Sequence, residues 1–518
     1  MGDAPGFPTQ GELIRFAYRV AGVLPEKHDP VVPPGSSRGS IRKAIARLAQ
    51  EEGKLEENFG DLLRQLSWMV AGYSSWPPVH MLIGDLLNDF IEDYRDLLVE
   101  EGTYLDRRST IRWLIRDRWV ASTVISLARS AGKWKPSMLL PFRPAAEDWF
   151  LPDFTERGVV WPLRKVLEWL YETAGLSQTQ FHYPGRDAAE SDVEMQRQLE
   201  NAQNWVSGRS LPSAAALQAS LRSALNVRAK PLASLSDPRK LASVEAILFL
   251  ARMSTAIWQA VVDEYGEVFA KEVRTLYGQL WRLCVDELVS VEKELVALSI
   301  EGGLTRTNPQ LRKELFDLWG RSMAVRSKAA HDELAAIAAS GSEPTEEQYL
   351  HLMHEYGELP VKTLATSLRS DGLNEVPKHF LEAFGKWSRL RGSRETGSAD
   401  VDEFEVFLST HRLADVLCWM PAWLRFQQAY RREDYPAAWA SISQAYELAK
   451  YRAGGTQYEI VNQYVEMAAK CGTVQEFRRG VSWANYIGLK IRWIRDRPLT
   501  PENLEFAKTM FQRATYVV

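Results

Sequence analysis

Apolar residues recur at i, i+3, i+4 and i+7 along almost every long stretch of this chain, and strict strand alternation is scarce. That period lines one face of a 3.6-residue turn, so it predicts an all-α protein. Pro and Gly interrupt the pattern and place its joints. Residues 24–39 crowd Pro and Gly into a first loop, and Ser40 is placed to cap the helix that follows. A break at Ser74-Ser75-Trp76-Pro77-Pro78 and a helix stop at Gly132 complete an N-terminal helical domain over 1–131.

Residues 132–160 are rich in Pro and aromatics and read as an ordered connector. Helical periodicity resumes over 161–230 and again over 241–390. In the latter block, joints at Gly302-Gly303 and Ser340–Pro344 separate long helices, the pattern of an antiparallel bundle. Residues 391–402, RGSRETGSADVD, are polar and Gly/Ser-rich and read as a linker. Over 403–518 the helices look paired, with small residues at Ala429, Ala438, Ala445, Ala449, Ala468 and Ala469 where helices approach closely. This region loosely resembles tetratricopeptide repeats, which stack helix pairs into a solenoid; a plain helical bundle is the alternative.

Length and composition set the outer limits. A chain of 518 residues exceeds what one core supports, and 45% hydrophobic with 25% charged residues is a globular balance. The net charge of −4 excludes a uniformly basic nucleic-acid coat, so any such binding must come from a local patch. Cys284, Cys418 and Cys471 are far apart and odd in number, which argues against a disulfide framework and a zinc cage. No uninterrupted apolar run is long enough to span a membrane, and residues 1–13 lack the pattern of a secretory signal. A cytoplasmic protein is expected.

The candidate chemistry lies first in 161–227. Leu163, Val166, Leu167 and Leu170 give one helix an apolar stripe, followed by Gly175-Leu176-Ser177-Gln178. Further on come Trp205, Gly208, Pro212-Ser213, and then Leu217, Leu221 and Leu225 at helical spacing. This order resembles the lambda-repressor-like helix-turn-helix family. The resemblance implies a turn at Gly175–Gln178, a second helix, a recognition helix over DVEMQRQLENAQNWVSG, and a closing helix after Pro212. One departure stands out. The stretch from Ser177 to Trp205 is longer than the compact family needs, and the excess falls in FHYPGRDAAESD.

On the recognition helix, Leu199 and Ala202 are expected to face inward, and Gln196, Arg197, Glu200, Asn201, Gln203 and Asn204 outward. Gln and Asn can bond adenine in bidentate fashion, and Arg guanine; Arg209, just past the helix, suits a phosphate. A polar face of a surface helix has the same composition. Nearby, Arg107, Arg108, Arg112, Arg116 and Arg118 with Lys133, Lys135 and Arg143 interleave with Trp113, Trp119 and Trp134. Such a strip could follow a nucleic-acid backbone, or its cations could be paired and its rings buried.

A second constellation is Arg326 and His331, within R-S-K-A-A-H on an expected helix. It resembles the Arg–His motif of HEPN ribonucleases, which occur in bacterial toxins and phage-defence proteins. The resemblance implies His331 as general acid/base at the ribose 2′-hydroxyl and Arg326 as the group that stabilises phosphorane charge. Two features weigh against it: Ser327 follows the Arg where that family prefers Asn, Asp or His, and a spacing of five sets the side chains about 140° apart. His351, His354 and Glu355 share a possible helix face but offer no clear third metal ligand. Walker, nucleophile-elbow, dinucleotide and HExxH patterns are missing, so no metal or cofactor is expected. Three readings stay open. One is a DNA-binding regulatory or defence-associated protein that binds a partner or itself through its C-terminal helices. The others are a HEPN-like, metal-independent RNase and a non-catalytic adaptor or assembly subunit.

Overall fold

The computed structural model describes residues 6–23, 38–49, 55–73, 76–100, 107–134, 140, 142–146, 148–175, 177–182, 192–227, 235, 237–301, 319–321, 333, 336–337, 378–495 and 497–514. Helices carry nearly all of them, as the periodicity predicted, and among the described residues one two-stranded hairpin departs from the all-α reading.

The N-terminal helices are α1 (Gln10–Ala21), α2 (Arg38–Ala49), α3 (Leu55–Tyr73), α4 (Pro77–Glu100), α5 (Arg107–Leu114) and α6 (Val120–Trp134). Thr9 caps α1 through a reciprocal box with Glu12, and Gly22 closes it in the left-handed conformation. Between α5 and α6 the chain winds wider over Ile115–Trp119, where the Val120 N–H reaches back five residues to the Ile115 carbonyl.

The described part of the connector includes a hairpin. Its strands β1 (Asp153–Thr155) and β2 (Gly158–Val160) pair antiparallel, with Phe154 opposite Val159. Gly158, at φ +115°, supplies the tight reversal. Arg274 pins the hairpin from across the fold, bonding Asp148 at 2.8 Å and the Pro152 carbonyl at 3.3 Å.

There follow α7 (Pro162–Ala174), α8 (Gln178–His182), α9 (Asp192–Ser207), α10 (Ala214–Val227) and α11 (Pro238–Glu301), the last broken at Gly266. The Pro238–Asp286 stretch of α11 is long and apolar enough to cross a membrane, but 67% of its most apolar window is buried against the protein.

The C-terminal helices are α12 (Lys378–Gly392), α13 (Ser398–Thr410), α14 (Trp419–Arg431), α15 (Tyr435–Ala449), α16 (Gln457–Lys470), α17 (Val474–Tyr486) and α18 (Pro501–Arg513). Sequence neighbours pack on one another from α12 to α17, and α18 folds back on α16 and α17. Ala438, Ala445, Ala449, Ala468 and Ala469 are buried in these seams, so the Tyr446 and Tyr464 rings stack at 3.9 Å. The expected linker at 391–402 is instead a packed corner. Gln428 donates to the carbonyls of Thr396 and Gly397, Arg431 donates to those of Arg391 and Ser393, and Val401 is buried. Polar composition misled here because the polarity serves backbone hydrogen bonds inside the corner.

Among the described residues three apolar cores stand out, and they cross the punctuation of the sequence. One joins α1–α4, α7–α10 and the first half of α11. A second joins α6 with the second half of α11. The third holds α12–α18 together with Phe7, Tyr94, Leu98 and Leu114 from the N-terminal region. Hydrogen bonds repeat these ties. Phe7 N donates to the Tyr451 carbonyl at 2.9 Å, and Gln457 Nε2 to the Leu98 carbonyl at 2.7 Å. Arg252, buried in α11, donates to the carbonyls of Pro212 at 2.9 Å and Arg19 at 3.2 Å, and to that of Val20. Gly22 is required beside it, because a Cβ there would lie 2.2 Å from the guanidinium carbon.

Candidate nucleic-acid face and apolar cavity

The described residues of the segment singled out by the sequence form four helices, α7 to α10, without a recognisable helix-turn-helix arrangement. Pro162 opens α7, and the Thr255 hydroxyl accepts the otherwise orphaned Leu163 N–H at 2.9 Å. Gly175 ends α7 at φ +62°. Gly208 ends α9 at φ +74°, where its carbonyl accepts Gln259 Nε2 at 2.7 Å. A Cβ at Gly208 would meet the Trp161 ring at 2.3 Å, so this turn needs glycine twice over. The Ser213 hydroxyl then caps α10, accepting Ala216 N at 3.2 Å. Leu163, Val166, Leu167, Leu170, Ala202, Leu217 and Leu221 are buried, while Leu199 and Leu225 are half-buried. The described part of the second helix covers Gln178–His182.

His182 locks this group from inside. Its Nε2 lies 2.6 Å from the Tyr171 hydroxyl and its Nδ1 lies 3.0 Å from Ser220 Oγ. Its ring meets Trp205 of α9 edge-on at 5.5 Å. Burial lowers its pKa from 6.5 to about 4 and pushes the Tyr171 phenol upward, so at neutral pH both are uncharged. A neutral imidazole has one donor and one acceptor nitrogen, which the two hydroxyls satisfy between them.

Along α9, Gln196, Arg197, Glu200, Asn201 and Gln203 are exposed, and Ala202 is buried behind them. Asn204 is half-buried, and its backbone carbonyl accepts the Ser207 hydroxyl at 3.2 Å and Ser210 N at 3.3 Å. Arg209 is exposed in the turn. The surrounding charge is balanced: Arg164, Lys165, Arg186, Arg197, Arg209 and Arg222 stand against seven acids over 161–227. Arg164 bonds Glu168 at 2.8 Å, Lys165 bonds Asp153 at 2.9 Å, and Arg222 bonds the buried Glu245 at 3.2 Å.

The described cations of the basic strip upstream are mostly paired or packed. Arg107 pairs with Glu12 at 2.7 Å, and Arg108 with Glu264 at 3.2 Å. Arg112 lies over the Phe269 ring at 4.8 Å, Arg116 is buried, and Trp119 packs on Phe90 at 4.7 Å. These groups tie α5 and the wide turn after it to α1, α4 and α11. Arg118, Lys133 and Lys135, with Trp113 and Trp134, fall outside the described side chains. Arg326 and His331, and likewise His351, His354 and Glu355, lie outside the described residues. Among the described residues no group of three or more His, Cys, Asp or Glu is placed to hold a metal ion.

A second feature had no signal in the sequence. A cavity of about 910 Å³ opens between α1, α3, α4, α6, the connector and α11. Its walls are aliphatic and aromatic, including Phe16, Leu86, Phe90, Trp119 and Ile257. Thr123, Ser254, Arg143, the Tyr277 hydroxyl and the tryptophan N–H groups supply its polar character, and the Ser254 hydroxyl is already donated to the Phe150 carbonyl. Six segments contribute to it, so no local spacing could have revealed it. No protein-family model matches this chain, and no curated protein or solved structure matches it either.

Proposed function

We propose that this chain is a DNA-binding regulatory protein, with α9 as the helix that enters the major groove. The observation that carries this reading is the row Gln196, Arg197, Asn201 and Gln203, exposed on one helix whose back is anchored by Ala202 and Trp205. Amide and guanidinium groups held on a rigid helix are the chemistry that distinguishes adenine and guanine by their major-groove edges. Glu200 adds an acceptor suited to the cytosine amino group. Arg209, in the Gly208 turn, supplies a phosphate contact that sets register without reading sequence. The C-terminal helices are the proposed docking region for a protein partner or a second copy.

Binding of the full chain to a pool of duplex DNA, measured by anisotropy at two salt concentrations, tests the reading. Affinity should fall steeply with salt. Asn201→Ala and Arg197→Ala should each cost about 1–3 kcal/mol on the selected sequence. Absence of salt-dependent binding, or indifference to both substitutions, refutes it.

A second reading, a non-catalytic adaptor or assembly subunit, draws support from the inward-turned arginines of α5 and from the balanced charge around α9. It predicts no duplex binding and co-purification in a stoichiometric complex.

A further inference from the structure

We propose that the apolar cavity is a binding site for a single-chain amphiphile with an anionic head group, the tail lying between α1, α4 and α11 and the head at Arg143. Its volume of about 910 Å³ falls in the range of built small-molecule sites. Water is a poor occupant. A water needs two to four polar partners, and these long apolar walls offer few: the hydroxyls of Thr123, Tyr277 and Ser254, the last already committed to Phe150, and the indole N–H groups of Trp119 and Trp281. The walls therefore favour hydrocarbon.

The head group follows from charge. Among the described residues lining the cavity, Arg143 is the one that carries a charge. It is exposed, and among the described residues it has neither an ion pair nor a hydrogen-bond partner. A guanidinium beside an apolar chamber accepts a carboxylate or phosphate through two parallel N–H bonds. A free long-chain acid and a lipid phosphate share this chemistry, and the competitors below separate them. The inference stands independently of DNA binding.

The test is displacement of a fluorescent long-chain carboxylate from the full chain by unlabelled competitors. Hexadecanoate should compete, hexanoate should not, and hexadecyl phosphate tells whether the site accepts phosphate as well as carboxylate, either result being consistent with an anionic head. Arg143→Gln, on the surface and harmless to folding, should weaken hexadecanoate about ten-fold and leave hexadecanol unchanged. Ala17→Phe, which projects a ring from α1 into the chamber, should abolish binding of both. Thermal unfolding of that variant reports whether it remains folded. Failure of the wild-type chain to bind the probe overturns the proposal. So does equal competition by hexanoate, or unchanged binding by a folded Ala17→Phe variant. Equal affinity of Arg143→Gln for the acid overturns the head-group assignment.

Discussion

His182 shows how much one residue decides in this fold. It has to stay neutral to sit among Tyr171, Phe181 and Trp205. Its folded pKa of about 4 lies below the ordinary 6.5 of an unfolded chain. The unfolded state therefore takes up a proton first as pH falls. Stability from this residue is complete above about 6.5 and is lost progressively down to about 4, a total on the order of 3 kcal/mol. Urea midpoints taken across that window should drop, and in His182→Gln the drop should shrink; an unchanged slope would remove His182 from the account. Because Trp205 rests on the imidazole, α9 should loosen in the same window. The glycines at 175 and 208 were legible in the sequence because helix-stop chemistry is local. His182 was not singled out, because its partners Tyr171, Trp205 and Ser220 are assembled from three different helices.

At the level of elements, periodicity predicted helices where helices are found. The β1–β2 hairpin was missed because strands of three residues are too short to display alternation. The packed corner at 391–402 was read as a linker because its partners, Gln428 and Arg431, come from a later helix. On α9 the division into buried Ala202 and exposed Gln196, Arg197 and Asn201 was readable from spacing alone. The break in α11 was not. Gly266 adopts φ +86° and ψ 166°, a region essentially closed to residues with a Cβ. Nothing crowds the position, so Gly266→Ala isolates the backbone term. It should destabilise the protein by about 1–3 kcal/mol, read as a lower urea midpoint with unchanged slope. No loss would mean that α11 can run straight without disturbing its two cores.

For the whole molecule, helical content was readable and the assembly of cores was not. Apolar stripes announce that a face is buried, but they do not name the face it meets. The stripe of α7 illustrates this: Leu163 and Leu167 share a core with Val244 and Ile247 of α11 and with Ile14 of α1. A fragment of residues 161–230 therefore lacks the surface on which its own apolar side closes. We expect it to lack a cooperative thermal transition by circular dichroism, whereas the full chain shows one; a cooperatively folding fragment would contradict the shared core. Arg252 reinforces the point, since its guanidinium unites carbonyls from α1 and from the turn that precedes α10.

The pairing of Phe7 with Tyr451 carries a consequence for biosynthesis. Phe7 is synthesised more than 400 residues before Tyr451 and well before the helices of the core that buries it. At ordinary elongation rates the delay is on the order of tens of seconds. Throughout that interval the nascent chain presents an unsheltered aromatic, and the third core can close only once its later helices have been made.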